Sequence, residues 1–362
     1  MSTSKKWRVF TLLSTLLLVF STFSSAVIAA SSSAPAVDVS FTILHTNDFH
    51  GQLEYQSGGS TNNPGSARLA AVVNGVRTAV GAGNVLVMDA GDEMQGSLLS
   101  NIWQGEPVID VYNTIGYDAA TFGNHEFDWG KTVLADRVDE ATYPYVSANI
   151  VVNNTGNCAT AGWEKPAFVD APYQILTVGT PTPVKVGVIG VTSAETPIIT
   201  IAEATENLCF KDAADSIVHY YDAMKGDGAD VIVVLSHLGF EDGGYGYGIP
   251  VYGDKTLATK LNTAGKPANL IIGGHSHTNM AAATVIGSTT IGQAYYNGRK
   301  VGRADITVTT TGAVNITWSS LSVPTGAADP ADATVAAVIA SYATDPDYLA
   351  LMSNLLKDEY KV

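Results

Sequence analysis

Five short apolar runs in this chain each break into a burst of residues able to bind metal or carry protons. Residues 41–44 lead to Asp48 and His50, and residues 84–88 to Asp89 and Asp92. Residues 117–122 lead to Asn124, His125, Glu126 and Asp128. Residues 230–235 lead to His237, and residues 269–272 to His275 and His277. Five of the seven histidines fall in these bursts, beside Asp48, Asp92 and Asn124, which a structural role for isolated histidines does not explain. Carboxylate, imidazole and amide donors without thiolates suit Mn, Zn, Fe or Co better than a structural zinc of the cysteine type. Asp48 and His50 are two residues apart, as are His275 and His277, so on extended segments each pair points one way. Two divalent ions held about 3.5–4 Å apart need a bridging carboxylate, and Asp92 is the best-placed candidate. Gly51, Gly91, Gly123, Gly273 and Gly274 let the backbone turn sharply and approach an ion closely.

The elements that must position these residues follow from the pattern. Short, β-branched, nearly continuous apolar runs read as strands buried on both faces. The bursts then sit at the carboxyl ends of core strands, where ligand sites of α/β sheets are built. Residues 66–79, 108–115 and 213–224 have helical spacing, so strand and helix alternate, giving an α/β fold. Residues 185–191 form a further buried strand. Past residue 280 the texture becomes β-rich. Strands are expected over 283–291, 293–296, 300–309 and 314–323, with Asn297-Gly298 as a hairpin turn. This segment is expected to complete a second sheet packed on the first, followed by helices over 331–342 and 348–357.

Composition bounds the rest. A chain of 362 residues with 46% hydrophobic and 15% charged residues is globular. Lys5, Lys6 and Arg8 precede an apolar run over 9–23 and small residues at 26–30, the layout of a secretory signal peptide. The run is shorter than the ~20 residues of a membrane span, so no stable span is expected. Loss of those three cations takes the formal net charge from −15 to −18. Such a chain is a poor partner for nucleic-acid polymers, which require clustered Lys and Arg. Cys158 and Cys209 either form a disulfide, as an exported chain allows, or remain two buried thiols. His45 and His219 read as structural, and Glu93 and Glu126 as hydrogen-bonding neighbours of ligands. Tyr245, Tyr247 and Tyr252 either stack on a base or pack their own loop.

The segments ILHTNDFHGQLE, DAGDEMQGSLLS, GYDAATFGNHEFDWG, VIVVLSHLGFEDG and LIIGGHSHT closely resemble the calcineurin-like metallophosphoesterases, and within them the 5′-nucleotidase catalytic domain. The resemblance covers about residues 40 to 320 and implies a four-layer αββα sandwich in a single domain. With the leader and tail read from the residues, the expected organisation is signal peptide 1–30, flexible mature N-terminus 31–39, catalytic domain 40–323 and helical tail 324–362. It makes Asp48, His50, Asp92 and His277 ligands of one divalent ion, and Asp92, Asn124, His237 and His275 ligands of a second. The position of His277 varies within the family. His125 resembles the catalytic histidine and Asp128 the carboxylate that orients it. The implied reaction is in-line hydrolysis of a small phosphate ester, a nucleotide foremost, by a metal-bound hydroxide, in a periplasmic or extracellular enzyme. The alternatives are a 2′,3′-cyclic nucleotide phosphodiesterase or broad phosphatase, and an exported binding protein with a degenerate site. The family's second domain, which holds the nucleobase between aromatic rings, is not expected within residues 324–362.

Overall fold

The computed structural model describes residues 34–58, 62–244 and 251–359, with side chains up to 354. The expected signal peptide, residues 31–33, and Tyr245 and Tyr247 lie outside the described residues. The chain begins with β1 (Val39–Thr46), α1 (Ser66–Val80), β2 (Val85–Asp89), α2 (Leu98–Ile102), α3 (Glu106–Ile115) and β3 (Ala119–Ala120). There follow α4 (Gly130–Glu140), β4 (Ile150–Val152), β5 (Tyr173–Val178), β6 (Val184–Thr192), α5 (Thr196–Ile199), α6 (Ala202–Thr205), β7 (Leu208–Phe210) and α7 (Ala213–Gly226). The second half holds β8 (Val231–His237), α8 (Asp254–Thr263), β9 (Leu270–Gly273), β10 (Thr284–Ile286), β11 (Thr289–Gln293), β12 (Lys300–Val308) and β13 (Val314–Ser322). It ends with α9 (Ala333–Ala343) and α10 (Pro346–Glu359).

Two sheets stack face to face, one ordered β13-β12-β1-β2-β3 and the other β10-β11-β9-β8-β6-β5. In the first, β1, β2 and β3 run parallel, and in the second β6, β8, β9 and β11 do. Strand β8 shows why such runs are continuously apolar. Val231, Val233 and Leu235 face the layer between the sheets with Ile43 and Met88. Ile232 and Val234 face the other way, onto Ile217 of α7 and Leu257 and Leu261 of α8. Both faces of the pleat are dry, so alternation disappears from the sequence. On the far side, Leu69 and Val73 of α1 and Val108 and Tyr112 of α3 cover the first sheet. The result is the expected αββα sandwich. Helices α9 and α10 close on this helical layer, burying Val335 and Tyr348.

Three expectations need correction. The strand expected over 283–291 is two, β10 and β11, paired antiparallel in the second sheet, and the one expected over 293–296 does not form, because regular pairing ends at Gln293. Asn297-Gly298 does turn, with φ of 57° and 61°, but β11 and β12 do not pair across it. The turn instead carries the chain from one sheet to the other, and β12 and β13 extend the first sheet beside β1. Turn chemistry is local, whereas the partner of the next strand is set by which apolar face remains open. Finally, β1 starts at Val39, inside the segment expected to be a loose terminus. Cys158 and Cys209 form a disulfide.

Candidate metal centre

The carboxyl ends of β1, β2, β8 and β9 meet at one edge of the two sheets, and the chain leaves β1, β2 and β9 in an unusual conformation. Asp48, His50, Asp92, His275 and His277 have positive φ, at 50°, 51°, 58°, 71° and 50°. Five such residues at a single site, where a side chain costs of order 1–3 kcal/mol to hold, mark a functional constellation. This also replaces the reason given for their spacing. The two pairs sit on left-handed loops rather than extended segments, and the members of the second pair diverge. His277 joins Asp48 and His50, while His275 joins Asp92 and His237, each set with ligand atoms within 4.8 Å. Close approach is secured by glycine. A Cβ on Gly123 would overlap the Asp92 carboxylate, and one on Gly274 would press on His237 and the Ala90 carbonyl.

Backbone carbonyls orient the rings. His237 Nδ1 donates to the Ala90 carbonyl at 2.7 Å, which leaves the Nε2 lone pair 3.0 Å from Asp92 Oδ2. His50 Nδ1 donates to the Gln95 carbonyl at 3.0 Å, which leaves Nε2 3.0 Å from His277 Nε2. His277 Nε2 also lies 3.3 Å from Asp48 Oδ1. Lone pairs aimed at one another need a proton or a cation between them. Without an ion, burial would raise the Asp92 carboxyl and lower the His237 imidazole, but their mutual attraction wins. Asp92 is held well below the usual range and His237 is carried up to about 10. His275 is lowered to about 4 by burial and the charge of His237, the neutral form a ligand requires. Among the described residues the side-chain Oδ1 of Asn124 is buried with no hydrogen-bond partner, a cost a cation would remove. Atoms bound at about 2.1 Å to one ion sit roughly 3.0–3.4 Å apart, so the spacing fits.

A deeper layer fixes this loop edge. The Glu126 carboxylate accepts the N–H groups of Asp92, Glu93 and Gly123 at 2.8, 2.8 and 2.6 Å. Glu93 turns inward to the hydroxyl of Tyr145 at 2.7 Å, and burial pushes it well up. Asp89, absent from the site expected from sequence, is buried against Thr46 and Tyr112 and raised by burial to about 7. Asp254, also missed, receives the Ser236 hydroxyl at 2.5 Å beside His237. Its only sequence signal is an acid at a helix start. His45 accepts the Trp318 indole N–H at 2.9 Å, and His219 stacks on Trp163, so both are structural as read.

His125 stands at the mouth of the site. Its backbone N–H donates to Asp92 Oδ1 at 2.9 Å, and its Nδ1 meets Asp128 Oδ2 at 2.6 Å. The Thr200 hydroxyl donates to the other Asp128 oxygen at 3.2 Å. The ring is 35% exposed, and a nitrogen lies within 4.8 Å of ligand atoms of His50 and Asp92. With Nδ1 committed to Asp128, Nε2 is left to face whatever enters the cleft. Burial lowers this imidazole, but the Asp128 hydrogen bond and the charges of Asp92 and Asp128 outweigh it and carry it to about 9.

Residues 41–279 match the calcineurin-like phosphoesterase family. A 5′-nucleotidase of Bos taurus is 37% identical over 245 residues, covering 66% of this chain and 38% of the relative. The trifunctional nucleotide phosphoesterase protein YfkN of Bacillus subtilis is 32% identical over 310 residues, covering 78% of this chain and 19% of that protein. This chain therefore spans less than two-fifths of the length of these curated relatives. Among solved structures, the calcineurin-like phosphoesterase YfkN superposes with a TM-score of 0.68 at 25% identity, covering 84% of this chain and 97% of that one. The 5′-nucleotidase precursor of Thermus thermophilus gives 0.68 at 29%, covering 86% and 60%. Fold, motifs and relatives agree: the chain belongs to the calcineurin-like phosphoesterase family, a family of metal-dependent phosphoester hydrolases.

Proposed function

We propose that the chain is an exported phosphoesterase that hydrolyses small phosphate esters, nucleotides foremost, with two divalent ions. Asp48, His50, Asp92 and His277 would hold one ion, and Asp92, Asn124, His237 and His275 the other, with Asp92 shared. The observation that carries this reading is the convergence of imidazole and carboxylate lone pairs whose other positions are committed to backbone groups. Bound ions would polarise a phosphoryl oxygen and make water nucleophilic near neutral pH.

The remaining chemistry belongs to the chain itself. His125 Nε2 offers a hydrogen bond to a phosphoryl oxygen and a proton to the departing alkoxide. Asp128 fixes the ring plane and favours the charged imidazole, while Thr200 holds Asp128. Two bound ions would carry +4 against the −2 of Asp48 and Asp92, a local cationic spot that accepts phosphate in an acidic protein. Export is supported by the leader-like residues 1–30 and by the Cys158–Cys209 disulfide. Among the described residues no helix is long and apolar enough to cross a membrane.

A broader phosphoesterase, acting also on 2′,3′-cyclic nucleotides, is the second reading. It is favoured by the open mouth, where His125 and His277 are 35% and 39% exposed, and by the likeness to a trifunctional nucleotide phosphoesterase. A non-catalytic binding protein fits less well, because His125 and Asp128 are poised for proton transfer. The test is hydrolysis of nucleoside monophosphates, 2′,3′-cyclic nucleotides and p-nitrophenyl phosphate by metal-replete and chelated protein. Turnover that disappears with chelator supports the proposal, and no turnover of any ester by metal-replete protein refutes it.

A further inference from the structure

The His277 side chain is 39% exposed, whereas those of His237 and Asp48 are fully buried. An exposed histidine on a left-handed loop has rotamer freedom, which must be removed before it can act as a firm ligand. The surroundings remove it. The Tyr296 ring lies parallel to the His277 imidazole, with centroids 4.7 Å apart and 16° between planes. The Arg299 guanidinium sits over the same tyrosine at 4.5 Å, completing a layered stack of imidazole, phenol and guanidinium.

The tyrosine and the arginine of this stack are both tied back to the metal loops. Tyr296 is held through its neighbours. The Tyr295 carbonyl accepts Asn47 Nδ2 at 2.6 Å, and the Asn297 N–H donates to the Asp48 carbonyl at 2.8 Å. Tyr295 itself has φ of 66°, a strained conformation that these bonds impose. Arg299 donates through Nε and Nη2 to Asn63 Oδ1 at 3.3 and 3.0 Å. Asn63 Nδ2 donates to Gln52 Oε1 at 2.7 Å, and Gln52 Nε2 to the His50 carbonyl at 3.3 Å. His50 faces His277 across 3.0 Å, so the contacts close into a ring running His50, Gln52, Asn63, Arg299, Tyr296, His277.

We propose that Tyr296 and Arg299 are positioning residues for His277, and that their stack sets the affinity of the metal position shared by Asp48, His50 and His277. The inference rests on the two-metal reading above. Supporting groups behind metal ligands are commonly worth about 10- to 100-fold in affinity. The contact uses the face of the tyrosine ring, so phenylalanine keeps it and leucine removes it.

The test is titration of metal-stripped protein with Mn²⁺, followed by calorimetry and by the electron paramagnetic resonance of free Mn²⁺. Wild type should bind two ions. Tyr296→Leu should weaken one of the two by roughly 10- to 100-fold and leave the other unchanged, with kcat recovered at saturating Mn²⁺. Tyr296→Phe should behave as wild type, and Arg299→Met should weaken the same ion by a smaller factor. If Tyr296→Leu does not fold, Arg299→Met carries the comparison alone. Unchanged affinities in both variants, or equal weakening of both ions, overturn the proposal. A wild-type protein that binds fewer than two Mn²⁺ ions instead overturns the two-metal reading beneath it.

Discussion

Replacing His125 with alanine separates catalysis from metal binding more cleanly than any other change at this site. The backbone N–H of residue 125, which holds Asp92 Oδ1 at 2.9 Å, survives the substitution. The lost ring lies at the mouth of the site, 35% exposed, outside the hydrophobic core, so the fold and ligand loops should stay as they are. What disappears is the one imidazole nitrogen held toward the cleft by Asp128. A positioned acid or hydrogen-bond donor contributes ~10²–10⁴ in rate, which is about 3–5 kcal/mol of transition-state stabilisation. The expected result is a fall in kcat of that size on p-nitrophenyl phosphate, with KM changed far less. Bound metal, counted by plasma mass spectrometry on the same sample, should remain at the wild-type ratio. Asp128→Asn should fall between wild type and His125→Ala, because the ring remains but loses its anionic partner. Loss of metal from His125→Ala would make the residue a ligand and refute the assignment. An unchanged kcat would refute its catalytic role.

Three further outcomes follow from groups away from the reacting atoms. Glu126→Gln replaces a carboxylate that accepts three backbone N–H groups with an amide that must turn its NH2 toward at least one of them, so urea unfolding should show a loss of about 1–3 kcal/mol. An undiminished midpoint would show that the loop edge does not depend on this carboxylate. His45 is buried and lowered to about 3 by desolvation, so below pH 6.5 the unfolded chain takes a proton that the folded chain refuses. Stability should therefore fall on acidification, by about 2 kcal/mol from pH 6.5 to 5 for this group. His45→Gln should escape that part of the loss, and equal acid sensitivity in both proteins would contradict the assignment. Removing the disulfide with Cys158→Ser and Cys209→Ser opens a loop of 51 residues and should cost about 4 kcal/mol in thermal or urea unfolding.

Much of this protein is legible in its sequence, because dry strands and glycine-flanked polar bursts are local signals. The five runs that became β1, β2, β3, β8 and β9 are readable from apolar continuity, and the residues following them from type alone. So is the segregation of candidate ligands from bland histidines such as His45 and His219. Other features are not carried by any short window. Asn297-Gly298 has the composition of a hairpin turn, yet only the packed sheets decide that it passes the chain from one sheet to the other. Asp254 and Gln293 look like ordinary helix-start and strand-end residues until folding brings them beside the loops of β8 and β9.

The sharpest division lies within the site. Residue type and order determined which side chains are candidates and that Asp92 stands at their centre. How they converge was decided by tertiary structure. Left-handed backbone at Asp48, His50, Asp92, His275 and His277 is a costly conformation, and sequence spacing suggested extended segments instead. That cost is met by neighbouring segments: Asn47 donates to Asp48, the Gln95 carbonyl takes His50, Glu126 accepts the Asp92 N–H, and the His275 N–H donates to Asp48. The stack of His277, Tyr296 and Arg299 likewise joins residues whose proximity no local pattern encodes. A strand's burial follows from its own side chains, but the strain and direction of a ligand loop follow from partners that only the fold brings beside it.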